Sequence, residues 1–150
     1  HALACNIQPE GKLTVVSASL QATMSLSGNE NIDIIQLGGM LRHSSASVVG
    51  QYSMEFLRGC SFSKLFLGVD GIDVDFGIST TDIREAELNR AMMQAAQKTI
   101  VLADSSKFGR RGFAKISGME DIDTIITDAK IPHAVAKRIE EMGIDLIIAG

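Results

Sequence analysis

Tryptophan is absent from this 150-residue chain, and no stripe of Lys and Arg interleaved with aromatics runs along it. Base stacking along a basic track, the usual way of holding a single strand, is therefore not expected. Positive charge is in the minority as well: 14 Lys and Arg stand against 18 Asp and Glu, for a formal net charge of −4. A surface of that sign repels a phosphate backbone on average, so this segment is not expected to grip DNA itself. Lys107, Arg110 and Arg111 form a local basic cluster that suits a small anion better than a duplex. Cysteine is scarce: Cys5 and Cys60 lie far apart and match neither a zinc spacing nor a redox pair. His43 and His133 have no partners at metal or triad spacing, so no metal or cofactor is expected. No apolar run approaches the roughly 20 residues of a membrane span, and no leader with charged and apolar regions opens the chain. The expected compartment is the cytoplasm, without a membrane partner.

What is present reads as an ordinary globular chain, 45% hydrophobic and 21% charged. A chain of this length buries roughly 70% of its unfolded surface, enough for one cooperative core. It starts at His1, in a segment over residues 1–11 that reads as the tail of a helix followed by a Pro-Glu-Gly turn, as if cut from something larger. The expected organisation is one domain over residues 1–150.

Short apolar, β-branched runs stand at residues 13–17, 32–37, 64–69, 99–103, 124–127 and 144–149. Runs without polar alternation suit strands covered on both faces of a mostly parallel sheet. Helical patterns lie between most of them. Residues 19–26 form one candidate, and residues 48–57 another, with Val48, Tyr52 and Phe56 on one face. Residues 83–97 are rich in Ala, Glu, Met and Gln, with Leu88, Met92 and Ala95 along a stripe, and Asp82 with Glu85 offers a capping box. Pro132 suits the start of a last helix, Val135, Ile139 and Met142 share its face, and Gly143 suits its stop. The alternation implies an α/β, Rossmann-like fold: a mostly parallel sheet flanked by helices, with ligand beyond the carboxyl ends of the strands.

That rule singles out the residues following each strand. Ser17 to Ser19 offers hydroxyls at a strand-to-helix junction, as a cap or an anion contact. Gly38 and Gly39 let a backbone approach a ligand, with Arg42 nearby for a phosphate; a tight turn with a solvated Arg is the alternative. Asp70, Gly71 and Asp73 place two carboxylates across a glycine, able to hold sugar hydroxyls or simply to cap their own turn. Residues 77–81, including Thr80, add hydroxyls. Glu85 either pairs with Asp82 as a cap or points into a cleft. Lys107, after two serines, is a mobile charge for phosphate or a surface lysine.

Taken in order, Gly38-Gly39-Met40-Leu41-Arg42, Leu67-Gly68-Val69-Asp70-Gly71-Ile72-Asp73, Gly77-Ile78-Ser79-Thr80-Thr81, Asp104-Ser105-Ser106-Lys107-Phe108-Gly109 and Ile126-Thr127-Asp128 resemble the loops of the DeoR-type sugar-phosphate-responsive repressors. The resemblance covers nearly all of the chain from Leu13 onward. It implies a fold similar to ribose-5-phosphate isomerase and the CoA transferases, a phosphorylated sugar bound at the strand ends, homo-oligomers, and control of DNA binding through a helix-turn-helix domain that this chain lacks. By position, Asp70, Asp73, Glu85 and Lys107 resemble the two aspartates, the glutamate and the lysine of the isomerase site, where such groups do general acid/base work. The ligand set the resemblance implies is Ser17, Gly38, Gly39, Arg42, Asp70, Gly71, Asp73, Thr80, Glu85 and Lys107. A sensor can keep such a site without turnover, so a binding module rather than an enzyme is expected, with a sugar-phosphate isomerase as the alternative. Two departures stand out: the family's opening strand and Asp-x-Gly-Thr-Thr type loop are missing, and Ser17-Ala18 stands where the family usually has Thr-Asn.

Overall fold

The computed structural model describes all 150 residues, which divide into two compact units, residues 1–56 and 57–150.

The first unit opens with a short helix α1 (Ala2–Asn6), then β1 (Leu13–Ser17), α2 (Leu20–Leu26) and β2 (Ile32–Gln36). β1 and β2 pair in parallel, from Leu13 opposite Ile32 to Ser17 opposite Gln36. A parallel pair needs a crossover, and α2 supplies it. Its N-cap is Ser19, whose hydroxyl accepts from the Ala22 amide at 3.2 Å. A hairpin follows, β3 (Met40–Arg42) with β4 (Ser47–Val49), antiparallel. Leu26, Ile32, Leu37, Val48 and Val49 are buried.

Helix α3 (Gln51–Arg58) corrects the expectation of a helix over residues 48–57. Val48 pairs with Leu41 in the hairpin, and Gly50, at φ +123°, separates strand from helix. Tyr52 is 79% exposed, and Ser53 and Leu57, one position on, are the buried side chains.

In the second unit, β5 (Phe62–Gly68), β8 (Ala96–Leu102), β10 (Thr124–Asp128) and β11 (Asp145–Ala149) form a four-stranded parallel sheet in the order β11-β10-β8-β5. A smaller antiparallel sheet joins β6 (Gly71–Asp73), β7 (Gly77–Thr80) and β9 (Ala114–Ser117). The crossover helices are α4 (Ile83–Ala95), capped by Asp82, and α5 (His133–Glu141), with Pro132 at its N-cap and Gly143, φ +80°, beyond its end. Ala86, Leu88 and Asn89 are the buried positions of α4. On α5, Ile139 is fully buried while Met142, expected on the same face, is half exposed.

One face of the parallel sheet, carrying Leu67, Val101 and Ile125, joins Ile72, Ile78, Ala86, Ile116 and Ile139 in the core. The opposite face is only half covered, against the expectation that both faces are buried: Phe66 and Ile147 are exposed, and Ile100, Leu102 and Ile126 are intermediate. No helix is long and apolar enough to cross a membrane.

Candidate functional site

Within the second unit, the carboxyl ends of three neighbouring strands carry the residues singled out above: Asp70 follows β5, Lys107 follows β8, and Asp128 ends β10. Asp70 is held by β7. Its carboxylate accepts from the Thr80 hydroxyl at 2.8 Å and from the Thr81 amide at 3.3 Å, while its own amide donates to the Ser79 carbonyl. Thr80 is buried, so this pairing fixes Asp70 through an interior side chain.

The segment over residues 104–112 packs directly on β6. The Gly109 amide donates to the Ile72 carbonyl at 2.8 Å, and Ile72 also bridges to Phe108. A Cβ at Gly71 would lie 2.5 Å from the Arg110 carbonyl oxygen, and one at Gly112 would lie 2.6 Å from the Thr80 carbonyl oxygen. The buried Ser79 hydroxyl sits by both glycines and accepts from the Gly112 amide at 2.7 Å. Gly71 is thus a close-approach glycine whose neighbour is the Lys107 loop. Asp70, Gly71, Thr80 and the loop that carries Lys107 are brought together.

Lys107 lies in a 3-10 turn, Ser105–Lys107, capped by Asp104, which accepts from the Ser106 amide and hydroxyl. These bonds, the hydroxyl's first, hold the Asp104 carboxyl below its ordinary range. Asp128 reaches across from β10 and accepts from the Ser105 amide at 2.8 Å and the Lys130 amide at 2.8 Å; those amides lower its carboxyl too. The loop is therefore anchored on both sides, while the half-buried Lys107 side chain makes no salt bridge within 4 Å, although its charge also helps lower the Asp104 carboxyl. An open concavity of about 740 Å³ adjoins this turn, lined by Asp104, Ser105, Ser106, Asp128, Ala129, Lys130, Ala149 and Gly150. Neither Asp70 nor Lys107 lines it.

Asp73 is engaged as the second of the two readings of that turn, capping it with its own side chain. It accepts from the Asp75 and Phe76 amides, closing its own turn, and from Arg111 Nε at 2.9 Å. The Arg111 guanidinium, foremost, pulls its carboxyl down to about 2. Arg111 and Lys115 both stand over the Phe76 ring, 5.3 and 5.2 Å from its centroid. Glu85, half-buried in the first turn of α4, donates its amide to Asp82, and Arg84 holds the Asp82 carboxyl far below its usual range.

The remaining candidates belong to the first unit. The Ser17 hydroxyl closes its own junction, accepting from the Ser19 amide and donating to the Ser19 carbonyl. The Gly38 carbonyl accepts from the buried Ser53 hydroxyl at 2.5 Å. Gly39, at φ +146°, would place a Cβ 2.4 Å from the Val49 carbonyl oxygen, so the hairpin itself demands glycine there. Arg42 lies on β3 and donates to the Ser44 hydroxyl at 3.4 Å. Sequence reasoning counted Ser79 only among the hydroxyls of residues 77–81 and underrated Arg111; two glycines forty-one residues apart gave no sign that both face one serine.

The second unit defines the class: an α/β domain with helices against a parallel sheet and polar loops beyond the strand ends. The chain belongs to the DeoR C terminal sensor domain family, whose model matches residues 1–129. Among its relatives, the uncharacterized HTH-type transcriptional regulator YulB of Bacillus subtilis (strain 168) is 36% identical over 135 residues, covering 90% of this chain and 52% of that protein. HTH-type transcriptional regulator GlpR of Haloferax volcanii is 30% identical over 145 residues, 97% of this chain and 56% of that protein. The glycerol-3-phosphate regulon repressor of Escherichia coli (strain K12) is 27% identical over 146 residues, 97% of this chain and 58% of that protein. The chain spans about half the length of these relatives.

Proposed function

We propose that this chain is the effector-binding part of a longer cytoplasmic regulator, and that a phosphorylated sugar or similar small metabolite is its ligand. The observation that carries this reading is the Lys107 loop: anchored by Asp128 on one side and by β6 on the other, it carries Lys107 on the same segment whose Gly112 adjoins Thr80, the partner of Asp70. A lysine suits a phosphate, and an aspartate suits a polyol. The name of one relative, a repressor of a glycerol-3-phosphate regulon, agrees with a phosphorylated ligand. The relatives are named HTH-type regulators and repressors, so DNA contact is assigned to the half of the intact protein outside this chain, with homo-oligomers presenting paired DNA-binding domains. Ligand then acts by binding the DNA-competent and DNA-incompetent states unequally.

Turnover is the weaker reading. A general base works best with a pKa near the working pH. Asp73, one of the four isomerase-like residues, is instead ion-paired to Arg111 with its carboxyl held at about 2. It serves as architecture.

Calorimetric titration of the intact protein with a panel of sugar phosphates tests the proposal; if none binds, it fails. Lys107→Ala should weaken phosphorylated ligands about 10- to 100-fold, the worth of a hydrogen bond to a charged group, and leave their unphosphorylated forms nearly unchanged. Equal losses for both forms would contradict a phosphate role.

A further inference from the structure

Of the motifs singled out above, Ile126-Thr127-Asp128 carries no ligand candidate, yet its last residue holds the Lys107 turn. From Ser105 to Gly109 every backbone amide has an acceptor, and the acceptors fall into two groups. Ser106 donates to the Asp104 side chain, Lys107 to the Asp104 carbonyl and Phe108 to the Ser105 carbonyl. These bonds lie inside the segment and tie residues 104–108 into one stiff turn. The two outermost amides reach beyond it: Ser105 donates to Asp128 Oδ2 at 2.8 Å, and Gly109 to the Ile72 carbonyl at 2.8 Å.

A stiff turn held at two points has a fixed orientation, whereas one held at a single point can pivot. The attachment to β6 is made by backbone and coincides with Gly109, whose φ of +77° suits a hinge. The attachment to β10 is made by a side chain, and both of its oxygens are used. Oδ2 takes the Ser105 amide, and Oδ1 takes the Lys130 amide of its own turn at 2.8 Å. The carboxylate thereby brackets the loops that leave two neighbouring strands, β8 and β10, which run in parallel with Ile126 beside Leu102.

We infer that Asp128 is a positioning residue for the effector: through the Ser105 amide it sets the orientation of the Lys107 turn, and with it where the ammonium meets a phosphate. This rests on the effector reading above and adds the residue that makes Lys107 effective. Asp128 itself need not touch the ligand. Were it a mere neighbour, its negative charge would repel an anion, and removing it would tighten binding. Positioning predicts the opposite sign.

The test is calorimetric titration of the intact protein and of its Asp128→Ala, Asp128→Asn and Lys107→Ala variants, together with the double alanine variant. The probes are the phosphates of glucose, fructose, ribose and glycerol, each beside its unphosphorylated form. Asp128→Ala should weaken phosphorylated ligands by about 5- to 50-fold, no more than Lys107→Ala does, and leave the unphosphorylated forms unchanged. Asp128→Asn, which keeps one acceptor oxygen in place of two, should fall between Asp128→Ala and the original chain. In the Lys107→Ala background, Asp128→Ala should change affinity by less than about twofold. Unchanged or tighter binding by Asp128→Ala, equal losses for both forms, or additive losses in the double variant overturn this inference alone. If the original protein binds none of the phosphates, the effector reading falls and takes this inference with it. Amide exchange on the unmodified protein decides the matter should Asp128→Ala fail to fold. A phosphorylated ligand at about 100 times its Kd should slow the Ser105 amide by about 10- to 100-fold, because it binds the anchored turn. An unchanged Ser105 rate overturns the inference.

Discussion

Replacing Gly71 by alanine tests how the Lys107 loop is held. The added Cβ would lie 2.5 Å from the Arg110 carbonyl oxygen and 2.8 Å from the Ser79 hydroxyl. Ordinary contacts begin near 3.4 Å, so the loop must retreat by close to an ångström, because its partner is backbone rather than a flexible side-chain end. Overpacking of that order costs about 1–3 kcal/mol, and weakening the Gly109 to Ile72 hydrogen bond adds about 1 kcal/mol. A local loss of about 2–4 kcal/mol corresponds to roughly 30- to 1000-fold faster exchange of the Gly109 amide. Hydrogen exchange on the intact protein measures it directly, with Gly28→Ala as a control, since a Cβ there meets nothing within 4 Å. Effector affinity should fall with the same substitution, as the loop bearing Lys107 shifts. If Gly109 exchanges at its original rate in Gly71→Ala, the loop is not supported by β6 and the account of the site is wrong.

Three further outcomes are expected. Asp73 has its carboxyl lowered to about 2 by Arg111, so its contribution is fully present above the ordinary carboxylate pKa near 4 and is lost as pH falls through 2. In acid unfolding, Asp73→Asn should therefore be less stable than the original chain above about pH 5, with the gap closing towards pH 2; a gap that persists at pH 2 contradicts the ion-pair origin. Ile125→Ala, at a fully buried position, should cost about 2–5 kcal/mol in urea unfolding, and a loss under 1 kcal/mol would mean that the core is misassigned. The Thr127 hydroxyl is buried without a hydrogen-bond partner, so Thr127→Val should be neutral or stabilising by about 1 kcal/mol; clear destabilisation would reveal a partner for that hydroxyl.

The parallel strands were the legible part of the fold. Residues 13–17 and 124–127 are apolar, β-branched and bounded by polar residues, and they became Leu13–Ser17 and Thr124–Asp128. The short antiparallel strands were not legible, because three or four residues leave no room for periodicity and their pairing is non-local: Thr80 of β7 meets Ala114 of β9. Val48 was misread as helical for the same reason, since its partner Leu41 lies across a turn that the local pattern does not display. Uniformly apolar runs suggested two covered faces, and side-chain type alone gives no hint that one of them is only half covered.

The site shows the same division between what local sequence encodes and what folding adds. Asp70 and Asp73, three residues apart, read as equivalent acids at a strand end. Their partners separate them: Thr80, ten residues on, keeps Asp70 as an oriented hydrogen-bonding group, whereas Arg111, thirty-eight residues on, takes Asp73 into an ion pair. Ser79 buttresses the same region by accepting from Gly112, with glycines at 71 and 112 because no side chain fits there. The acids are thus largely committed to holding loops in place, and Lys107 is left as the side chain with unused donors. A site whose aspartates are already held by hydrogen bonds and an ion pair is better placed to orient a bound group than to move protons, in line with the proposed binding role. That distribution of partners, more than the presence of isomerase-like residue types, is why binding without turnover is the reading the geometry favours.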